Sequence, residues 1–135
     1  MLAARAQHVA EVIEPALSEG RDVVCDRFSG STVAYQGHGR GLDPTELKRL
    51  SGWASDGLEP AIVVLLTVGE QVARERLARR ATADRIEAED SQFFARVDEG
   101  FRAQAAGDPR WHVVDGTGSI DEVAERVWKV VVDAG

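Results

Sequence analysis

One cysteine, Cys25, stands in a chain of 135 residues. It can close no disulfide within the chain, and no second thiol sits at the spacing a structural zinc site needs. Long apolar runs are missing too: none approaches the ~20 residues that cross a bilayer, and the Met1 region lacks a cationic start followed by an apolar block. Membrane spans and an export signal are therefore not expected, and a reducing cytoplasm is the expected location. Basic charge is scarce, since 16 Lys and Arg against 23 Asp and Glu leave a net charge of −7. That balance argues against broad binding to nucleic acid or an anionic membrane, both of which reward a basic surface. Any phosphate site must be local. The length suits one domain, residues 1–135.

What is present reads as alternating helices and strands. From Ala3 to Leu17 the apolar residues Val9, Val12, Ile13, Ala16 and Leu17 recur at three- and four-residue steps, along one helical stripe with no capping Ser, Thr or Asp before it. Gly20 ends that helix, Asp22 to Asp26 reads as a short buried strand, and Arg27 to Leu42, with Gly30, Gly37, Gly39 and Gly41, reads as a long polar loop. A second helix begins at Asp43, where Pro44 takes the first helical position and Glu46 completes a capping-box-like pattern; it ends near Gly57. Ala61 to Leu66 is an uninterrupted apolar run, as expected of a parallel strand covered on both faces. Helical spacing returns over Glu70 to Arg79 and from Glu89 to about Ala106, the latter carrying Phe93, Phe94, Val97 and Phe101. Trp111 to Val114 is a third strand, and Ser119 with Glu122 opens a last helix bearing Val123, Val127, Val130 and Val131. Strands separated by helices imply an α/β fold, a parallel sheet flanked by helices, with ligands at the carboxyl ends of its strands.

Asp26-Arg27-Phe28 falls where the first strand should end. A guanidinium there offers fixed donors matched to phosphate oxygens, and an aspartate can order water around magnesium. For the dipeptide alone a surface ion pair or a turn is the better account. Its continuation decides more. Ser31, Thr32, Tyr35 and Gln36 place hydroxyl, amide and aromatic groups within two turns of Arg27, and such groups read a nucleobase and its sugar.

The run Asp26 to Gly41 resembles the signature of the thymidylate kinase family, in which an Asp-Arg-aromatic triplet precedes Ser-Ser/Thr-x-x-Ala-Tyr-Gln-Gly and a Gly-Arg-Gly. Leu2 to Val9 is similar to the family helix that supplies an arginine to the monophosphate, with Arg5 in its place. Arg79 to Glu87 looks like the family's lid, about residues 79–88, and Phe93-Phe94-x-Arg96-Val97 matches the helix behind it. The resemblance implies a P-loop nucleoside-monophosphate-kinase-like fold and transfer of the ATP γ-phosphoryl to dTMP, giving dTDP, with Mg2+ bridging the donor. It further implies that Arg5 and Arg27 hold the dTMP phosphate, that Thr32 and Gln36 meet the thymine or its surroundings, and that Tyr35 lies under the deoxyribose. Phe28 and Ser31 would line the same pocket. Arg80, with Arg79 and Arg85, would close over the ATP phosphates, so that Arg80 and Arg27 act on the transferring group. Asp26 would reach the metal through water, and Gly116-Thr117-Gly118 would border the adenine. Family members pair as homodimers through helices, to which Val9, Val12 and Ile13 could contribute.

The chain departs from that pattern in three places. It contains no Gly-x-x-x-x-Gly-Lys-Ser/Thr, the loop whose amides and lysine cradle the donor phosphates. In the family that loop comes after a central strand, so the sheet expected here lacks its N-terminal strands. Met1 stands where the family has an aromatic that stacks on thymine, and Thr67 replaces an acidic residue. The expected identity is a piece of a thymidylate kinase beginning at an internal methionine. The alternatives are a non-catalytic module that binds a nucleotide or is completed by a P-loop-bearing partner, and a kinase of another nucleoside monophosphate. In each case the pure chain should show no ATP-dependent conversion of dTMP in a coupled assay, and measurable turnover would refute the inference from the missing loop.

Overall fold

The computed structural model describes residues 1–69, 72 and 91–134, which fall into two compact units. The first comprises Met1–Glu59 with Gln92–Arg102, and the second Pro60–Ser91 with Ala103–Gly135. The expected lid, residues 79–88, and, apart from Val72, the helix expected from Glu70 to Arg79 lie outside the described residues.

The first unit is helical. Its opening helix, α1, spans residues 2–18 as Leu2–His8, a wide π-type stretch Val9–Ile13, and Glu14–Ser18. Pro15 supplies a local reason for the widening: it has no N–H to donate and its ring crowds the carbonyl one turn back. Val9, Ile13 and Ala16 are buried as the stripe predicts, but Val12 and Leu17 are about half exposed. Gly20 closes the helix at φ +75°, with its amide donating to the Leu17 carbonyl and that of Arg21 to Ala16, a Schellman arrangement only glycine adopts cheaply.

Two expectations about the next segment fail. Asp22 to Asp26 pairs with no strand among the described residues, and Val24 is fully exposed. An apolar run becomes a strand only where a neighbour takes up its amides and carbonyls. The stretch beginning at Arg27 is not a long loop either: Ser29–Thr32 and Val33–Gly39 form a second helix, α2, residues 29–39. Glycine makes this a poor helix by propensity, but Val33, Ala34, Gly37 and Gly39 are all buried, so tertiary packing outweighs it.

Helix α3, Pro44–Ala54, starts as predicted, with the Asp43 carboxylate accepting from the amides of Thr45 at 2.8 Å and Glu46 at 3.4 Å. Glu46 turns outward to Arg49 at 2.9 Å. The helix ends in a second Schellman arrangement, the Gly57 amide donating to Gly52 and that of Asp56 to Trp53. The remaining element, α4, is Ser91–Gly107, of which residues 92–102 belong to this unit. Phe93 and Val97 pack on Ala34, with Tyr35 and Phe101 at the margin of the cluster. Two glycines permit this approach: a Cβ on Gly39 would come within 2.7 Å of the Phe93 ring, and one on Gly100 within 2.7 Å of His38 Cγ.

The second unit holds two parallel strands, β1 (Val63–Thr67) and β2 (Trp111–Asp115), in register from Val63 opposite Trp111 to Thr67 opposite Asp115. The α/β class therefore holds, with two strands among the described residues where the sequence suggested three. Burial on both faces is only partial, because Leu66 and Val113 are more than half exposed. Helix α5, Ile120–Ala134, opens with the predicted capping box: the Ser119 amide donates to the Glu122 carboxylate at 2.7 Å, and the Glu122 amide to Ser119 Oγ at 3.3 Å. Among the described residues no helix is long and apolar enough to cross a membrane.

Gly39→Ala should destabilise the first unit by about 1–2 kcal/mol, because Phe93 and Val97 are too buried to yield freely and their displacement outweighs alanine's helix preference. Urea unfolding reads the difference.

Candidate functional site

A cavity of about 310 Å³ opens in the first unit where α1, the segment after Cys25 and α2 converge. Its walls come from Met1, just before α1, from Arg5 on α1, from Arg27 and Phe28 in the connecting segment, and from Ser31, Tyr35 and Gln36 on α2. The one-turn spacing of Ser31 and Tyr35 puts both on the same side of α2. Two guanidinium groups line this space and no carboxylate does.

Arg5 is the more buried of the two. Its Nη2 donates to the Phe28 carbonyl at 3.0 Å and to Thr32 Oγ1 at 2.9 Å, its Nη1 reaches Ser51 Oγ at 3.5 Å, and its charge lies 5.2 Å from the centre of the Phe28 ring. Burial lowers its pKa below the ordinary arginine value, with the nearby Cys25 opposing the shift. Arginine stays charged through such a shift. Thr32, expected to meet the thymine or its surroundings, is 1% exposed, is not among the residues lining the cavity, and accepts from the Arg5 guanidinium through its hydroxyl. Ser51, on α3 and equally buried, escaped the sequence reading altogether. A serine between Leu50 and Gly52 carries no local sign that it faces a guanidinium 46 positions away.

Arg27 is held differently. Among the described residues its guanidinium is engaged only by the Tyr35 ring, 5.3 Å from the ring centre. Its backbone adopts φ 65°, a left-handed conformation that costs a non-glycine residue about 1 kcal/mol or more. The segment from Asp26 to Phe28 is thus bent so that consecutive side chains part: Asp26 is exposed, Arg27 points along Tyr35, and Phe28 stacks on Arg5.

A cavity with two cations, an amide, a hydroxyl and two aromatic rings can hold a small anion joined to a flat polar ring. Asp26, the residue expected to reach magnesium through water, is a single exposed carboxylate, and no group of three or more His, Cys, Asp or Glu gathers among the described residues; a magnesium ion shared with substrate phosphates asks for only one or two carboxylates. Arg79, Arg80 and Arg85 lie outside the described residues. In the second unit the Gly116-Thr117-Gly118 loop closes on itself. Asp115 accepts from the Thr117 amide at 2.9 Å and its hydroxyl at 2.8 Å, while Arg126 donates to the carbonyls of Asp115 and Thr117. The Thr117 amide, and next its hydroxyl, lower the Asp115 pKa; the Ser119 amide and hydroxyl do the same for Glu122.

A family model described as thymidylate kinase matches residues 1–127. A thymidylate kinase of Solidesulfovibrio magneticus is 52% identical over 138 residues, covering 96% of this chain and 66% of its own length. One of Synechococcus sp. (strain JA-2-3B'a(2-13)) is 47% identical, over 94% of this chain and 61% of that protein. One of Cupriavidus pinatubonensis is 44% identical, over 97% and 65%. The chain spans about three fifths to two thirds of the length of these curated relatives.

Thr32→Val keeps the side chain's shape but leaves Arg5 Nη2 one acceptor short in a half-buried setting. The expected cost is about 1–3 kcal/mol, with Thr32→Ser closer to wild type; chemical denaturation of both variants checks it.

Proposed function

Because the chain belongs to the thymidylate kinase family, we propose that it carries the monophosphate-binding part of an enzyme that transfers the γ-phosphoryl group of ATP to dTMP, giving dTDP. The observation that carries this reading is the meeting of Arg5, Arg27, Tyr35 and Gln36 around one cavity of about 310 Å³, close to the lower end of the range for small-molecule sites. Phosphoryl transfer joins two anions, so positioning and charge neutralisation do most of the work.

In this reading the two arginines have unequal shares. Arg27, free of protein acceptors among the described residues, turns its fork of donors to the 5′-phosphate. Arg5 has committed three donor contacts to Thr32, Phe28 and Ser51, so it enters as a pre-oriented cation with its remaining N–H groups toward the ligand. Little side-chain freedom is then lost when the nucleotide arrives. Ser31 and Gln36 supply hydrogen bonds to the base, Phe28 a flat apolar wall, and Tyr35 the surface under the sugar. Met1 fills the remaining side with a flexible thioether.

Arg80, with Arg79 and Arg85, belongs to the donor side of the reaction, where magnesium and ATP supply the reactive phosphoryl group. The sequence holds no Gly-x-x-x-x-Gly-Lys-Ser/Thr loop to cradle the donor phosphates, so the share of the reaction assigned to the described residues is acceptor binding and orientation. Location in the cytoplasm and synthesis of dTTP precursors belong to the same proposal.

Arg27→Ala should weaken dTMP binding by roughly 10²-fold or more, the loss of a two-pronged charge-assisted contact. Isothermal calorimetry against dTMP, with dUMP, dCMP and thymidine as comparators, measures it. Unchanged dTMP affinity in a folded variant would overturn the assignment of Arg27, and equal affinity for all four ligands the assignment of the substrate.

A further inference from the structure

The cavity's most exposed cation depends on a side chain that lies outside its walls. The Arg27 guanidinium rests on one ring, that of Tyr35, at 5.3 Å. That ring is in turn gripped by two others from α4: Phe101 at 6.1 Å with planes at 80°, and Phe93 at 6.2 Å with planes at 61°. Both are edge-to-face contacts within the range where aromatic pairs attract. Phe93 is 8% exposed and belongs to the buried cluster with Ala34 and Val97, so its ring answers to the core. Phe101 is only partly buried, at the margin of that cluster and beside Tyr35. Neither phenylalanine lines the cavity.

Arg27 needs such support. Its φ of 65° is held against a preference for ordinary backbone geometry, and a cation–π contact gains most when the ring presents a fixed face. A Tyr35 ring free to turn would offer its edge, whose partial charge is positive and repels a guanidinium. From these contacts we infer that Phe101 is a positioning residue for the anion site: it holds the Tyr35 face toward Arg27 and thereby sets where the guanidinium stands in the cavity. The chain of contact runs from Phe101 through Tyr35 to Arg27, all within the first unit.

The geometric link is independent of the ligand, while its effect on binding rests on the proposed monophosphate site. The test uses the 15N-labelled chain, with the Arg27 Nε–Hε resonance assigned by its loss in Arg27→Lys. In the wild type the Tyr35 ring current shifts the Arg27 side-chain protons upfield. Phe101→Leu should move them toward random-coil positions, and Phe101→Tyr should return them. Phe101→Met reads the same resonances if the leucine variant does not fold. Resonances unchanged in the folded leucine or methionine variant would overturn the inference. Titration then separates positioning from general loosening: Phe101→Leu should weaken dTMP about three- to tenfold and thymidine, which lacks the phosphate and meets Tyr35 only through its sugar, by less. Equal losses for the two ligands would also overturn it. A wild-type chain that binds neither ligand would refute the monophosphate reading, and the resonances would still decide the link from Phe101 to Arg27.

Discussion

Half-burial of the Arg5 guanidinium is the constraint from which the first unit takes its form. A charge withdrawn from water must find hydrogen-bond partners or cost several kcal/mol. Here the partners come from three places: the Phe28 carbonyl in the segment after Cys25, the Thr32 hydroxyl on α2 and the Ser51 hydroxyl on α3. One side chain therefore pins α1 to two other helices and to the segment that joins α1 to α2. The buried hydroxyls of Thr32 and Ser51 are otherwise hard to account for, each being 1% exposed in a small core. The cavity is the space that remains on the solvent side of this knot, and its positive lining comes from what the knot is tied with.

Around that anchor the packing relies on close approach more than on bulk. Gly39 and Gly100 let the end of α2 and the middle of α4 meet at distances no Cβ would tolerate, while Phe93 and Val97 fill the space beside Ala34. The same helix that closes the core carries the rings behind Tyr35. Stability and ligand geometry thus share parts, and the strained Arg27 backbone is tolerated because its surroundings are held from two sides. Arg96 adds to this by donating to the Gly39 carbonyl at 3.2 Å, which satisfies a group exposed by the end of α2.

The second unit is built on other terms. Its two parallel strands and α5 leave Trp128, Val132, Leu66 and Val113 more than half exposed, and among its described residues only Val114 is a buried large apolar side chain. Its order is local: the capping box at Ser119, and Arg126 gathering the carbonyls at the end of β2. Such contacts set the shape of a loop more than they add stability, since the groups involved are largely exposed.

Much of this was legible in the residues themselves. Asp43-Pro44 and Ser119 with Glu122 announce helix starts because capping is satisfied within four residues, and Gly20 announces a helix end because left-handed backbone is cheap only for glycine. The run from Asp26 to Gly41 pointed to the family and to most residues of the cavity for the same reason: they are near one another in sequence, so a fixed local conformation brings them together. Tertiary structure alone decided the rest. Asp22 to Asp26 finds no neighbour to pair with among the described residues and is no strand, and the glycine-rich stretch after Arg27 is a helix because burial on α3 and α4 outweighs its propensity. Thr32, Ser51 and Phe101 acquired their partners through contacts 27, 46 and 66 positions apart along the chain. Local sequence encodes what hydrogen bonds within a few residues can satisfy; which distant group shares a buried charge or a ring face is settled only when the helices pack.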